Sequence, residues 1–255
     1  MQGNRVYFVI DMKTFFASVE CAERGLDPFE TNLVVADSSR GDGAICLAIT
    51  PKLKEQGIHN RCRLFEIPKG IEYIVAKPQM KKYIEYASEI YGIYLKYIDK
   101  NDIHVYSIDE CFIDATDYLK LYKLGAKEFA VKLMREIKES LHIPSSAGIG
   151  TNMYLAKIAL DITAKHSSDF IGLLDENTYK EKLWHHRPIT DFWQVSRGTE
   201  ERLRKHGIYD MYGVAHANED MLYKEFGINA ELLIDHAGGR ESCTMPDIKN
   251  YKTKK

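Results

Sequence analysis

Short apolar runs bounded by turn residues predict the strands of this chain. Val6 to Ile10 (VYFVI) is rich in β-branched and aromatic residues and ends at Asp11, which predicts a buried strand. Residues 32–37 (NLVVAD) and 44–49 (AICLAI) are predicted to form two strands across the polar turn SSRGDG. Further strand-like segments follow at 104–108 (HVYSI), 111–115 (CFIDA) and 145–150 (SSAGIG).

Apolar residues spaced three and four positions apart predict two long helices. The first stripe consists of Met80, Ile84, Ala87, Tyr91, Leu95 and Ile98, and the second of Ala130, Leu133, Ile137 and Leu141. Thr14, Pro51 and Asn152 are suited to begin three shorter helices, over FFASVECAERG, PKLKEQG and MYLAKIALDITAK. The order strand, helix, strand, strand, helix, strand predicts an α+β fold of the ferredoxin-like (split βαβ) type, with its helices on one face.

The last third of the chain, from about residue 175, is predicted to be helical and carries both tryptophans. The segment WQVSRG at 193–198, followed by TEERLRKHGI, predicts two short helices joined by a hairpin that contains Gly198. From Glu241 to Lys255 the periodicity is lost, so this stretch is predicted to be a linker or tail.

Composition restricts the possible functions. The chain has 35 Lys and Arg against 37 Asp and Glu, a net charge of −2, whereas a dedicated nucleic-acid-binding module is usually basic. Any nucleic-acid role must therefore depend on local basic patches. No stretch approaches the roughly 18 apolar residues of a membrane span, and the start lacks a signal peptide. The five cysteines without a C-x-x-C pair indicate buried thiols in a reducing cytosol.

Three acids, Asp11, Asp109 and Glu110, lie at the ends of predicted strands. One acid at a strand end is commonly a turn former or a helix cap. A split βαβ sheet, however, places its first and middle strands side by side, which would bring Asp11 and Asp109 together. Adjacent side chains of a strand face opposite ways, so Glu110 joins them only if Asp109 and Glu110 occupy a turn or bulge. Clustered carboxylates require a cation, and oxygen ligands favour Mg²⁺ or Mn²⁺, the ions of two-metal phosphoryl transfer.

Three motifs connect the chain to a known family. DMKTFFASVE, SIDECFIDAT and GIGTNMYLAKIALD resemble, in order and spacing, the palm motifs of Y-family translesion DNA polymerases, with the closest resemblance to the UmuC-like bacterial branch. The resemblance extends from about Tyr7 to His206. It implies template-directed addition of dNTPs to a primer 3′-OH, by two-metal phosphoryl transfer, in DNA damage tolerance. It also implies four ligands for two Mg²⁺ ions, which Mn²⁺ could replace: Asp11, the Met12 carbonyl, Asp109 and Glu110.

The same resemblance implies the residues that bind the dNTP. Phe16 would be the steric gate, whose ring leaves no room for a 2′-OH, whereas the Phe15 side chain is better explained as core. The backbone N–H groups of both lie at a helix start, where a triphosphate binds readily. Lys157 matches the family lysine that contacts the triphosphate. In the fingers, Thr50 and Lys54 lie near the sequence positions of a family tyrosine and a family arginine. The resemblance implies that Thr50 offers a hydroxyl to the triphosphate and Lys54 a positive charge. The alternative is that this segment is an ordinary exposed helix.

The hairpin around Gly198 resembles a helix-hairpin-helix, whose backbone amides bind a DNA phosphate. The implied DNA-binding residues are Ser196, Arg197, Gly198 and Arg202, and Arg204 and Lys205 add positive charge. Ser196 replaces one of the two glycines that the family often has there. A purely structural turn in a helical subdomain is the alternative interpretation.

The resemblance implies a palm at 1–21 and 72–174, fingers at 22–71, a thumb at 175–240 and a linker or tail at 241–255, without the little-finger domain of family members. The implied partners are primer–template DNA and dNTPs, with a sliding clamp or recombinase filament for the full-length protein. A cytoplasmic monomer without membrane association is expected. Two rival hypotheses stay open: a catalytically weak or inactive DNA-binding accessory protein, and another palm-type enzyme such as a nucleotide cyclase. The hairpin after Trp193 favours a DNA substrate over the cyclase.

Overall fold

Two β-sheets organise the fold in the computed structural model, which describes residues 5–251. The larger sheet contains β1 (Tyr7–Met12), β5 (Ile103–Val105), β6 (Glu110–Asp114), β7 (Ser145–Gly150) and β8 (Ile171–Leu174), and the smaller sheet contains β2 (Leu33–Val35), β3 (Ala48–Ile49) and β4 (Ile74–Ala76). Their strand orders are β5-β6-β1-β7-β8 and β3-β2-β4. Strand β1 is central and runs antiparallel to both β6 and β7. The predicted pairing of the first and middle strands is therefore confirmed.

Helices cover both sheets and form the last third of the chain. They are α1 (Phe15–Ala22), α2 (Pro51–Glu55), α3 (Met80–Leu95), α4 (Thr116–Tyr122), α5 (Ala126–Leu141), α6 (Met153–Ile158), α7 (Glu176–Leu183), α8 (Arg197–Arg204), α9 (Met211–Ala215), α10 (Glu219–Phe226), α11 (Asn229–Ala237) and α12 (Met245–Asn250). Within residues 5–251, every helix falls short of the length and apolar character that a bilayer crossing requires.

The two long helices were predicted correctly, but the buried face of α3 was not. In α5 the predicted stripe is buried at Ala130, Leu133 and Ile137. In α3 the stripe residues Met80 and Ile84 are instead 50% and 54% exposed. The buried residues of α3 are Tyr83, Ile90, Ile93 and Tyr94. Two tyrosines fill the core on this side, and tyrosine is ambiguous in a hydrophobic pattern because its ring is apolar and its hydroxyl is polar.

The larger sheet is covered on both faces, so the prediction of helices on one face is wrong. Helices α1, α3 and α5 pack on the face formed by Phe8 and Ile10, while α6 and α12 pack on the face of Tyr7 and Val9. Glycines in the strands permit the close approach of α6. A Cβ at Gly150 would lie 2.2 Å from the Ala156 nitrogen, and one at Gly148 would lie 2.0 Å from the Ala156 carbonyl oxygen.

Several strands differ from their predicted lengths. Strands β2 and β3 are shorter than the predicted segments 32–37 and 44–49, although they pair antiparallel as expected. Strand β8, parallel to β7, was missed because it is short and contains Gly172, which weakens a strand pattern. The five cysteines are free thiols, with Cys21, Cys46 and Cys111 buried, Cys62 partly buried and Cys243 exposed.

The stretch predicted as a linker or tail is ordered up to residue 251, and residues 252–255 lie outside the described part. Helix α12 packs on the larger sheet through Met245, which is fully buried. The Lys249 ammonium donates a hydrogen bond to the Ile103 carbonyl of edge strand β5 at 2.6 Å. Helix α12 is too short to show helical periodicity in the sequence. The prediction that this stretch is only a linker or tail is therefore wrong up to residue 251.

The packing of α6 on β7 can be tested with two glycines. We expect Gly150→Ala to lower the free energy of unfolding by about 1–3 kcal/mol or more, because the new methyl group overlaps backbone atoms that cannot rotate away. Gly92→Ala is the matched control: it lies in α3 with no atom within 4 Å of its Cβ position, and it should stabilise the protein by roughly 0.5–1 kcal/mol. Urea denaturation measures both. Equal effects of the two substitutions would contradict the close packing of α6.

Candidate active site

The three acids of the sequence analysis meet at the end of the β1–β6 pair. Asp11 lies directly opposite Glu110 in the antiparallel register, so the two side chains project from the same face of the sheet. Asp109 precedes β6 in a bend, and its carbonyl accepts a hydrogen bond from the Met12 N–H at 2.9 Å. The Ser107 hydroxyl donates to the Asp109 carboxylate at 2.7 Å. The bend meets the condition under which Glu110 can join Asp11 and Asp109.

The carboxylates are electrostatically strained in this arrangement. Burial, followed by the charges of Asp109 and Glu110, raises the pKa of Asp11 to about 8. Burial also raises the pKa of Glu110, although Lys157 acts in the opposite direction. Each desolvated, like-charged carboxylate disfavours ionisation of its neighbour. Such a group is stabilised by a cation placed among its oxygens.

Lys157 is the cation that the fold itself brings to these acids. It lies on α6, and its Nζ is 2.8 Å from Glu110 Oε1 and 3.0 Å from Asp161 Oδ1. The contact with Glu110 is an ion pair without aligned hydrogen-bond geometry, so that buried oxygen has no hydrogen-bond partner. Asp161 is a fourth acid that the sequence analysis missed. Asp161 could have been identified from the sequence, because it follows Lys157 at the i, i+4 spacing that places two residues on the same face of a helix.

The residues fit a hard divalent cation chemically. Within the described part of the chain, no three His, Cys, Asp or Glu side chains are arranged so as to hold a metal, and Glu110 is paired with Lys157 instead. The donors are nevertheless all oxygen atoms, which suit Mg²⁺ or Mn²⁺. The raised pKa of Asp11, due to burial and then to its acidic neighbours, shows that its ionised form is disfavoured without a cation.

Helix α1 presents two adjacent phenylalanines with different environments. Phe15 is 2% exposed and belongs to the main core, which confirms that its side chain is a core residue. Phe16 is only partly buried. Thr14 precedes α1 in a left-handed conformation (φ 46°) and does not cap it, so the predicted cap is wrong. The first N–H groups of α1 are therefore left without a side-chain acceptor, which suits an anionic ligand.

Two lysines, Lys13 and Lys54, lie within electrostatic range of Asp11 and can neutralise a polyanion. Lys54 is exposed on α2, yet partial desolvation lowers its pKa and the charge of Asp11 acts against that shift. Desolvation lowers the pKa of Lys13 in the same way, and Lys54 and Lys165 contribute. The structure thus places Lys54 near the acids. Lys13 and Lys165 carry no signal in the sequence, because they are ordinary lysines until the fold brings them together.

Thr50 does not offer a hydroxyl to this cleft, contrary to the sequence prediction. Its side chain is fully buried, and its Oγ1 accepts a hydrogen bond from the Leu33 N–H at 3.1 Å. The hydroxyl therefore ties the start of α2 to β2. A residue with this role stabilises the fold and is inaccessible to a ligand.

The residues predicted to bind DNA lie at the start of α8. The Ser196 hydroxyl accepts a hydrogen bond from the Thr199 N–H at 3.1 Å and so caps the helix. Arg197 and Gly198 follow it on the exposed first turn. The left-handed residue of the preceding turn is Gln194 (φ 69°). The glycine that was predicted to form the hairpin therefore lies in the helix instead.

Arg202, also predicted to bind DNA, is used within the protein. Its guanidinium donates to the Glu225 carbonyl at 3.0 Å and lies 4.3 Å from the centroid of the Phe226 ring. These contacts fasten α8 to the end of α10, and the DNA contact of Arg202 stays a prediction. Arg197 and Lys205 are exposed and form no ion pair within residues 5–251.

Comparison with known proteins places this site in a family. The model of the impB/mucB/samB family matches residues 10–161, which contain all three acids and Lys157. The chain belongs to this family. DNA polymerase IV 2 of Bacillus subtilis is 34% identical over 245 residues, which cover 94% of this chain and 57% of that protein. DNA polymerase IV 2 of Halalkalibacterium halodurans is 32% identical over 253 residues, covering 98% and 60%.

Solved structures show the same fold. A Y-family DNA polymerase chimera of Dbh and Dpo4 superposes with a TM-score of 0.79 at 21% identity, covering 94% of this chain and 69% of that one. DinB from Sulfolobus solfataricus gives a TM-score of 0.75 at 22% identity with the same coverage. The resemblance inferred from the three motifs is therefore confirmed. The chain spans 57% and 60% of the lengths of these two DNA polymerase IV 2 proteins.

Proposed function

We propose that this chain carries the catalytic centre of an error-prone translesion DNA polymerase, which adds dNTPs to a primer 3′-OH under the direction of a template. The observation that carries the proposal is the pairing of Asp11 with Glu110, beside Asp109, at the end of two adjacent strands. The raised pKa of Asp11, caused by burial and neighbouring acids, supports a cation-binding role. The two relatives named DNA polymerase IV 2 support the reaction class.

In this proposal Asp11, Asp109, Glu110 and the Met12 carbonyl would hold two Mg²⁺ ions, which Mn²⁺ could replace. When bound, such ions neutralise triphosphate charge and lower the pKa of the attacking hydroxyl. The chain's own contribution is to fix its carboxylates in a desolvated place, so that little reorganisation is needed during reaction.

The triphosphate would be held by positive charge and backbone amides. Lys13, Lys54 and Lys165 lie within electrostatic range of one another, and the uncapped start of α1 offers its N–H groups through Phe15 and Phe16. Lys157 would serve the triphosphate from its position between Glu110 and Asp161. Phe16 would be the steric gate against the ribose 2′-OH.

The proposed division of the chain is a ferredoxin-like palm at 1–21 and 72–174, fingers at 22–71 and a thumb at 175–240. The start of α8, with Ser196, Arg197 and Gly198, would bind a DNA phosphate in the manner of a helix-hairpin-helix, because these residues are exposed on the first turn of a helix. Primer–template DNA and dNTPs are the proposed substrates. A sliding clamp or recombinase filament is a further proposed partner. We place the protein in the cytoplasm as a monomer.

A primer-extension assay with and without Mg²⁺ tests the proposal. We expect elongation of a labelled primer with dNTPs and Mg²⁺, and none after chelation with EDTA. Enzyme in excess over primer–template removes any dependence on repeated DNA binding. DNA binding without extension would indicate an accessory protein, and formation of a cyclic nucleotide from a free triphosphate would indicate a cyclase. Either result would contradict the proposed function.

A further inference from the structure

Tyr83 covers one face of the Phe16 ring. Tyr83 lies on α3, and the two ring centroids are 4.4 Å apart with planes 14° from parallel. Tyr83 is fully buried, whereas Phe16 is partly exposed. Because one face of Phe16 is covered in this way, the exposed part of the ring lies away from Tyr83. The position of Tyr83 therefore sets how far the Phe16 ring can retreat.

The Tyr83 ring is itself anchored through its hydroxyl. The hydroxyl donates a hydrogen bond to Glu20 Oε1 at 2.7 Å. Burial, together with this hydrogen bond, raises the pKa of Tyr83, so the phenol stays protonated and remains a donor. Glu20 belongs to α1, one helical turn after Phe16. The two aromatic rings and the carboxylate thus form a closed connection between α1 and α3.

Glu20 is held in turn by two further side chains. The Gln79 amide nitrogen lies 3.1 Å and 3.3 Å from the two carboxylate oxygens, and the Arg24 guanidinium forms an ion pair with the carboxylate. The Glu20 side chain is completely buried, and a buried charge is costly unless it is paired and hydrogen-bonded. A fully satisfied buried network has a defined geometry, which plain apolar packing of two helices does not require.

A second tyrosine–glutamate contact joins the end of α1 to α3, and within residues 5–251 the ring contacts of Phe16 are with Phe15 and Tyr83 rather than with Tyr86. The Tyr86 hydroxyl donates to Glu23 Oε1 at 2.8 Å, and Lys82 pairs with Glu23 at the surface. Tyr86 lies three residues after Tyr83, and Glu23 three residues after Glu20. The chain therefore contains its own control for the general effect of linking α1 to α3.

We infer that Glu20 and Tyr83 are positioning residues that determine sugar discrimination by holding the Phe16 ring in place. The inference rests on the proposed polymerase function and on Phe16 as its steric gate. A gate of this kind distinguishes substrates by a single oxygen atom, so a ring displaced by about 1 Å would lose much of the discrimination. Tyr83 supplies the rigid backing, and Glu20 fixes Tyr83.

Competition between rNTP and dNTP in single-turnover primer extension tests this inference. We expect Tyr83→Phe, which keeps the ring and removes the anchor, to raise the rNTP/dNTP incorporation ratio on the order of tenfold, within the loss expected for a 1 Å misplacement. Tyr83→Leu should raise it further, because the ring is lost. Glu20→Gln should have a smaller effect, because the amide oxygen still accepts from Tyr83. Tyr86→Phe should leave the ratio unchanged.

A variant of Phe16 separates positioning from general structural damage. In a Phe16→Ala background, Tyr83→Phe should produce no further change in the ratio, since its effect passes through the missing ring. An unchanged ratio in Tyr83→Phe and Tyr83→Leu, with dNTP extension and melting temperature retained, would overturn the inference while leaving the polymerase proposal intact. Absence of extension by the wild-type chain would overturn the proposed function, and this inference with it.

Discussion

Asp11→Asn and Asp109→Asn should each reduce Mg²⁺-dependent primer extension by about 10²–10³-fold or more, the range for removing one preorganised electrostatic group. Each substitution removes a charge from a site where three carboxylates would hold the cations, while the amide keeps the volume of the side chain. Single-turnover rate constants at saturating Mg²⁺ measure the loss. Asp220→Asn, on the exposed first turn of α10, is the matched control and should extend at the wild-type rate.

The Asp11→Asn variant should nevertheless fold, and be more stable than the wild type without metal. The folded-state pKa of Asp11, raised by burial and then by the neighbouring acids to about 8, lies above the ordinary value near 4, so the folded protein binds a proton that the unfolded chain has lost. Wild-type stability therefore falls as the pH rises from about 4 to 8. Asparagine removes this penalty. We expect the melting temperature of the variant in EDTA to exceed that of the wild type by more at pH 8 than at pH 5.

Wild-type-like extension by Asp11→Asn or Asp109→Asn would contradict the two-metal assignment. A variant of Asp11 with a lower melting temperature at pH 8 than the wild type would contradict the electrostatic strain instead. These outcomes concern different properties, catalysis and apo stability. Each can therefore be interpreted without the other.

The adjacent phenylalanines of α1 should give opposite phenotypes. Phe16→Ala should raise the rNTP/dNTP incorporation ratio by at least about tenfold, near the lower end of the discrimination that one apolar group provides. It should change the free energy of unfolding little, because the ring is partly exposed. Phe15→Ala should cost roughly 3–5 kcal/mol, since it empties a buried core position. Competitive incorporation assays and urea denaturation measure the two effects.

The melting temperature provides a second check on Phe15. A loss of about 3–5 kcal/mol corresponds to a fall of roughly 6–20 °C, at about 2–4 °C per kcal/mol for a chain of this size. If Phe16→Ala left the ratio unchanged, another residue would have to exclude the 2′-OH. If Phe15→Ala were the variant that changed the ratio, the two roles would have to be exchanged.

The position of the acids could be predicted because it depends on topology. A β-rich run ending at Asp11 and a second one starting at Cys111, directly after Glu110, are visible as hydrophobic patterns, and the split βαβ order brings their strands together. The helix over residues 80–95 was equally visible, yet its buried face was not, because Tyr83 and Tyr94 are amphipathic. Where a helix or strand lies along the chain was therefore easier to predict than which of its faces is buried.

Individual side-chain roles were harder to predict, because hydrogen-bond partners come from distant segments. Thr50 stands at the expected place before α2, but its hydroxyl accepts from the Leu33 N–H. Arg202 stands on the expected helix, but the end of α10 takes its guanidinium. The Tyr83–Glu20 contact joins residues 63 positions apart. Its members are unremarkable in a helical pattern until α1 and α3 are packed together.

Template-directed extension under single-turnover conditions is the most direct test of the account. Four primer–templates that differ only in the templating base would be offered each dNTP in turn, with Mg²⁺ and with EDTA. We predict that the 255-residue chain preferentially adds the complementary nucleotide on all four templates, only with Mg²⁺, and that Asp11→Asn adds none at a comparable rate. Addition that ignores the template base, or that persists in EDTA, would contradict a two-metal translesion polymerase centre.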